Sequence, residues 1–265
     1  MKPALQTVVL DGFAVAYRQA GTGPPLLLLH GAYEDSRIWA RVLDELARDF
    51  TVIALDVPGH GGSDDPRDSW TADDYADTVV GLLRALGVDV VTVVGLSFGS
   101  VLALELYARR SEVVERLVLA AAYAGWAGSM PKEEVAARMA QVLAELDRPM
   151  SELAPTWLPT LLTAAATQEM RDEVTAIMAD AHPAGMRVAL SVFGTNDLRP
   201  VLPTIAVPTL LVYGECDGRS PASPVGEAMH AAIPGSRLVV VPGAPHLLMI
   251  EAAAELAAAI RAFMR

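Results

Sequence analysis

The sequence predicts an α/β fold: a mostly parallel, eight-stranded sheet with helices on both faces and a helical insertion. Three observations predict it. Short, wholly apolar runs alternate with amphipathic stretches of helix length, the pattern of βαβ units. One of those runs, Val90-Val91-Thr92-Val93-Val94, turns into a helix through Gly95-Leu96-Ser97-Phe98-Gly99. Between residues 123 and 197 the alternation lapses into helices alone, then resumes. Apolar residues make up 52% of the 265, and the mean hydropathy is +0.35, as expected for strands covered on both faces.

Taken in order, residues 7–10 and 13–20 flank Asp11-Gly12 and read as two antiparallel edge strands joined by a tight turn. Residues 25–29 are a short apolar strand ending at His30-Gly31-Ala32. Ser36 is placed to cap a helix over 37–48, with Ile38, Trp39, Val42, Leu43 and Leu46 on its apolar face. Strand 51–55 runs into Asp56-Val57-Pro58-Gly59-His60-Gly61-Gly62-Ser63-Asp64, a stretch rich in turn formers. Thr71 caps a helix to about residue 86, Asp74 completes a capping box, and Gly87 ends it. Strand 90–94, a helix to about residue 110 and strand 116–121 follow.

From 123 to 197, Pro131, Pro155, Pro159, Pro183 and Gly185 punctuate helices rich in Met and Ala. Residues 1–122 and 198–265 are therefore assigned to the core, and 123–197 to a helical lid. The core resumes with strand 209–213, loop 214–221, helix 223–232, strand 237–241, loop 243–246 and a closing helix over 251–264. Parallel strands joined by right-handed crossovers open their following loops at one carboxyl edge, so a ligand site belongs there, under the insertion.

The net charge of −12 argues against nucleic-acid and anionic-membrane partners. No apolar run reaches the roughly 18 residues that span a bilayer. The N-terminus has no apolar segment followed by a cleavage site, and the single cysteine, Cys216, permits no internal disulfide, so a cytoplasmic chain is expected. Nothing calls for a cofactor or a metal, and the expected partner is a small-molecule substrate, the chain being a monomer or homodimer.

The chemistry centres on Ser97. A strand that becomes a helix within one residue strains the backbone there and holds the side chain exposed, and the flanking glycines let strand and helix approach. The competing reading is a serine that caps the following helix. A serine hydroxyl needs a base. His246, after the last strand, stands at the same carboxyl edge; His30 is the alternative, more naturally a brace for its own loop. His60, His182 and His230 fit local or surface roles. The base needs an acid to fix its tautomer. Asp217, after the penultimate strand, fits, with Glu215 as fallback. An oxyanion would need backbone donors: the amide of Phe98, next after Ser97, and that of Ala32 in the His30-Gly31-Ala32 loop.

These motifs resemble the α/β-hydrolase superfamily over essentially the whole chain. The matching residues are His30-Gly31, Asp56-x-Pro58-Gly59-His60-Gly61-x-Ser63, the elbow around Ser97, Gly214-x-x-Asp217 and Pro245-His246, in the order Ser, Asp, His. The chain is most similar to the lid-bearing enol-lactonase, C–C hydrolase and esterase branch. Some members place the acid after the strand that follows the elbow helix; here that strand runs into Ala120-Ala121-Ala122-Tyr123, without a carboxylate. Serine at the elbow, where dehalogenases and soluble epoxide hydrolases carry aspartate, implies acyl chemistry. Ser100 replaces a common glycine, and Pro245 precedes His246 in place of Gly.

The resemblance implies hydrolysis of an ester or lactone by a Ser97–His246–Asp217 triad, on a small to medium, largely apolar substrate. Tyr33, Phe98, Trp126, Met130, Trp157, Met186 and Phe193 are expected to line the pocket, although some of them fit equally as packing between lid and core. Arg37 is placed to meet a substrate carboxylate or, more simply, to be solvated at a helix start. The same triad also fits a C–C bond hydrolase, a cyclase, or a ligand receptor with little turnover.

Overall fold

A computed structural model describes residues 3–265. Eight strands form one sheet in the order β1-β2-β4-β3-β5-β6-β7-β8. They are β1 (Leu5–Leu10), β2 (Phe13–Ala20), β3 (Pro25–Leu29), β4 (Thr51–Leu55), β5 (Val91–Leu96), β6 (Val114–Ala120), β7 (Thr209–Gly214) and β8 (Arg237–Val241). β1 and β2 pair antiparallel across the Asp11-Gly12 turn, and β2 also runs antiparallel to β4; every other pairing is parallel. Asp11 and Gly12 both take positive φ, as this turn requires. β1 alone is an edge at this end, because β2 is covered by β4.

Side chains alternate across a strand, so each apolar strand feeds two cores. Leu26 and Leu28 of β3 pack on one face, and Leu27 and Leu29 on the other. The first face is covered by α1 (Ala40–Leu46) and α10 (Ala253–Met264), which pack on each other, with the short α9 (Leu248–Glu251) beside them. The second is covered by α2 (Ala72–Ala85) and α3 (Phe98–Arg110), with α8 (Glu227–Ala232) near the β7–β8 end.

The capping box on α2 is present: the Thr71 N–H and hydroxyl both donate to the Asp74 carboxylate at 2.7 Å. The start of α1 differs from expectation. Residues Ser36–Trp39 form a 3-10 turn capped by Asp35, whose carboxylate accepts the Arg37 N–H at 2.8 Å. Ser36 instead uses its N–H on Asp56, at 2.7 Å, and its hydroxyl accepts from Arg18. A carboxylate one residue earlier outcompetes the serine because it is charged and reaches the same orphan donors. The closing helix is also split, with Ala252 breaking α9 from α10.

The insertion leaves the sheet after β6 and returns to β7, its neighbour. It consists of α4 (Lys132–Glu145), α5 (Met150–Leu161), α6 (Gln168–Ala179) and α7 (Pro183–Phe193). Pro131 and Pro183 stand at helix starts as expected, whereas Pro155 and Pro159 lie inside α5. The insertion is tied down at several points. The Leu247 N–H donates to the Leu161 carbonyl at 3.1 Å, and Thr163 hydrogen-bonds the Glu251 carboxylate through both its N–H and its hydroxyl.

Gly185 on α7 rests directly against Gly59 in the loop after β4. A Cβ at Gly185 would lie 2.3 Å from the Gly59 Cα and carbonyl oxygen. Gly185→Ala is therefore expected to push α7 off this loop and destabilise the chain by about 1–3 kcal/mol, the usual range for overpacking. Urea unfolding measures this directly; an unchanged midpoint would mean that α7 is not seated here. Among the described residues no helix is long and apolar enough to cross a membrane.

Candidate active site

The carboxyl ends of β3, β5, β7 and β8 converge on one cavity of about 800 Å³ beneath the insertion. Ser97 sits between β5 and α3 with φ 49° and ψ −114°, a conformation that L residues rarely adopt. Its N–H donates to the Ala120 carbonyl at 2.9 Å, which pins the turn to β6. The flanking glycines are sterically required. A Cβ at Gly95 would stand 2.5 Å from the Gly99 carbonyl oxygen, and one at Gly99 would stand 2.3 Å from that of Leu29. Ser100 is fully buried and donates its hydroxyl to the Ser97 carbonyl at 2.5 Å, so the hydroxyl that replaces glycine there is satisfied within the turn.

His246 faces the same cavity as Ser97. Its Nδ1 lies 2.9 Å from Asp217 Oδ2, and both side chains are buried. The other oxygen of Asp217 accepts the N–H groups of Arg219 and Ser220 at 2.8 and 3.0 Å. That donor pair fixes the carboxylate's rotation and leaves Oδ2 aimed at the imidazole. Glu215 is engaged elsewhere: its carboxylate accepts the Gly243 N–H at 2.8 Å and clamps the loops after β7 and β8 together.

The remaining histidines have other partners. His30 Nε2 accepts the Val57 N–H at 3.0 Å, so its Nδ1 carries the proton donated to the Gly31 carbonyl at 2.8 Å. Burial holds it below the ordinary range of imidazole, and a neutral ring is what both bonds need. It braces the Gly31–Ala32 loop. His60 stacks edge-on against His30 at 4.9 Å and touches the Met186 sulfur at 2.9 Å. Burial, the largest cause, lowers it to about 3. His182 pairs with Asp65 and His230 with Ser236.

Phe98 is the first residue of α3, so its N–H has no intrahelical acceptor, and the Ala32 N–H donates to no described group. Both residues line the cavity. The Ala32 loop rests on Glu34, which accepts the Gly31 N–H at 2.9 Å. Glu34 is buried, and desolvation pushes its carboxyl up from 4.5 to about 8. Between those values the folded chain holds a proton that the unfolded chain has released. Stability should therefore fall as pH rises through that window, by about 1.4 kcal/mol per pH unit, and level off above it. Thermal unfolding of wild type and Glu34→Gln across pH 5–9 checks this: the variant should lose that part of the slope, and parallel curves would rule Glu34 out as its source.

Tyr33, Trp126, Met130, Trp157 and Met186 line the cavity as expected. Phe193 does not. It is buried behind Phe98, with ring centroids 5.6 Å apart, and also packs on Tyr75, because α7 turns this residue toward the second core and Met186 toward the pocket. Arg37 is likewise elsewhere: it pairs with Asp35 at 2.6 Å and with Asp180 of the insertion at 2.9 Å.

The wall also carries Tyr123, Glu134, Arg138, Leu162, Leu190 and Arg219, which sequence reasoning did not place there. A signal existed for Arg138, since it lies on the stripe marked by the buried Val135 and Val142 at helical spacing. Among the described residues no three His, Cys, Asp or Glu side chains gather to hold a metal ion.

A family model described as alpha/beta hydrolase fold matches residues 24–253. An uncharacterised protein of Mycobacterium tuberculosis (strain H37Rv) is 30% identical over 92% of this chain and 76% of its own length. Among solved structures, a hydrolase from Pseudomonas aeruginosa is similar with TM-score 0.88 and 29% identity, covering 98% of both chains. The enol-lactonase from Burkholderia xenovorans is similar with TM-score 0.86 and 25% identity, over 98% of this chain and 99% of that one.

Proposed function

The chain belongs to the α/β-hydrolase family, and from that premise we propose that it hydrolyses an ester or lactone through a Ser97–His246–Asp217 triad. One observation carries the reading: a serine held at positive φ on a tight strand-to-helix turn shares a cavity with a histidine whose other nitrogen is bonded to a buried carboxylate. The similarity to an enol-lactonase supports acyl chemistry.

In this reading Asp217 keeps the proton of His246 on Nδ1, so Nε2 is free to take the Ser97 proton as Oγ attacks the carbonyl carbon. The amides of Phe98 and Ala32 receive the oxyanion. The imidazolium returns the proton to the leaving alcohol, and an acyl-serine remains. Water, deprotonated by His246, then releases the acid and restores Ser97. Residues 123–197 act as a lid over a core of 1–122 and 198–265, and shield the developing charges from bulk solvent while admitting the water that deacylates Ser97.

The test combines turnover with labelling. Wild-type protein should hydrolyse methyl and p-nitrophenyl esters of short acids, and a neutral organophosphate should add one phosphoryl group, located on Ser97 by peptide mass analysis. Turnover without labelling at Ser97, or labelling elsewhere, would overturn the assignment.

A further inference from the structure

We propose that the catalytic pocket contains a carboxylate-binding subsite, formed by the guanidinium groups of Arg138 and Arg219 and the hydroxyl of Tyr33, so that the substrate is an ester or lactone bearing a second, ionised carboxyl group. This rests on the serine-hydrolase reading and names the substrate class of that site.

All three residues line the cavity that holds Ser97 and His246, and they converge on one aromatic ring. Arg219 stands 4.2 Å and Arg138 5.6 Å from the centroid of Trp157, and the Tyr33 ring meets it edge-on at 5.0 Å. The two arginines come from separate elements, α4 and the loop after β7. Stacking on Trp157 leaves the edges of the guanidinium groups, where the N–H donors lie, free to face the cavity.

Neither arginine has a carboxylate partner among the described residues. Arg138 makes no hydrogen bond or ion pair with any described residue, and the side chain of Arg219 makes one, to the Thr160 hydroxyl at 3.0 Å. Other arginines at the insertion do have carboxylate partners: Arg37 pairs with Asp180, Arg41 with Glu173 and Arg187 with Asp147, while Arg171 donates to the Thr163 and Ala164 carbonyls. Two acidic side chains stand near the subsite. Glu134 is on the cavity wall, and Glu145 acts electrostatically on both Arg219 and Tyr33. No oxygen of either comes within 4.0 Å of a guanidinium nitrogen; Glu145 uses one oxygen on Gln141, and its other oxygen is buried without a hydrogen-bond partner among the described residues.

Two like charges half-buried together are unfavourable without an anion between them. Burial and then the Arg138 charge lower Arg219 to about 10, with Tyr123, Asp217 and Glu145 acting the other way, so it is still cationic at neutral pH. The Tyr33 hydroxyl points the same way independently: it is buried and has no hydrogen-bond partner among the described residues. Burial raises its pKa, so it keeps its proton and donates. A carboxylate would accept from both guanidinium groups and from this hydroxyl, and would remove the repulsion. With Ser97 on the same cavity, the ligand needs its scissile carbonyl at one end and the carboxylate at the other, as in a half-ester of a dicarboxylic acid.

The test pairs binding with turnover. Adipate is titrated calorimetrically into wild type, Arg138→Met, Arg219→Met and Arg138→Lys, and kcat/KM is measured for monomethyl adipate against methyl hexanoate, its neutral match in length. Wild type should bind adipate and prefer the half-ester by about tenfold or more, the effect of one charged hydrogen bond. Each Met variant should lose at least tenfold in that ratio and in adipate affinity, and Arg138→Lys should keep part of both. Equal kcat/KM for the two esters together with no adipate binding would overturn the subsite while leaving Ser97 chemistry intact. Failure of the organophosphate to label Ser97, with adipate still bound in an arginine-dependent way, would instead overturn the serine-hydrolase reading and keep the subsite.

Discussion

Ser97→Ala is expected to lower kcat for methyl hexanoate by about 10⁶-fold, the scale seen when the nucleophile of such a triad is removed. The substitution deletes one oxygen and nothing else. Alanine and serine face the same steric cost at φ 49°, and the turn is held by backbone bonds: the residue 97 N–H to Ala120, and the Ser100 N–H and hydroxyl to the residue 97 carbonyl. None of these uses the Ser97 side chain. The melting temperature should therefore match wild type, which separates loss of chemistry from loss of fold. Residual turnover of a few per cent would sink the acyl-enzyme scheme.

Asp217→Asn is expected to cost about 10⁴-fold in kcat, for a reason that the local hydrogen bonds dictate. One oxygen of Asp217 is occupied by the N–H groups of Arg219 and Ser220. An asparagine placed here must keep its carbonyl oxygen toward those two donors and turn its NH₂ toward His246. That group donates to Nδ1, so the imidazole proton moves to Nε2, the nitrogen that has to accept the Ser97 proton. Binding of adipate should survive, since the Arg219 backbone keeps its acceptor. Glu215→Gln is the contrasting variant: its side chain serves Gly243, not His246, and kcat should stay within a few-fold of wild type. If both variants behaved alike, the acid would have to be reassigned.

The parts of the site that were legible in the sequence are those whose geometry is local. Gly95 and Gly99 around Ser97 announce a close strand-to-helix turn, and the structure has backbone carbonyls where their Cβ atoms would be. Asp217 and His246 each follow an apolar strand, and parallel strands deliver such loops to the same edge. His30 between a strand and Gly31 reads as a brace, and its two ring nitrogens are spent on Val57 and Gly31. The α1 cap lies one residue before the Ser36 that the sequence suggests, because Asp35 and Ser36 are both good caps and a contact from Asp56, twenty residues on, claims the Ser36 N–H.

The insertion was legible only as helices. α4 buries two residues, Val135 and Val142, and their stripe puts Arg138 on the covered side of the helix without saying whether core or cavity covers it. Whether Arg138 meets the core or the pocket depends on what packs above and below it. Arg37 shows the same limit from the other side: close to the Gly31–Ala32 loop in sequence, it is taken out of the site by Asp180 on the insertion. Phe193 and Met186 are both apolar residues of α7, yet one faces the core and the other the cavity.

By itself, then, the sequence determined the strands, the elbow and the chain positions of the three candidate catalytic side chains, because backbone periodicity and turn chemistry are short-range. The tertiary structure alone decided which charges face the cavity and which are neutralised outside it. A guanidinium's partner is chosen by distance in space, and for Arg37 and Arg138 that distance is set by how a four-helix insertion lies on a sheet whose strands end far away along the chain.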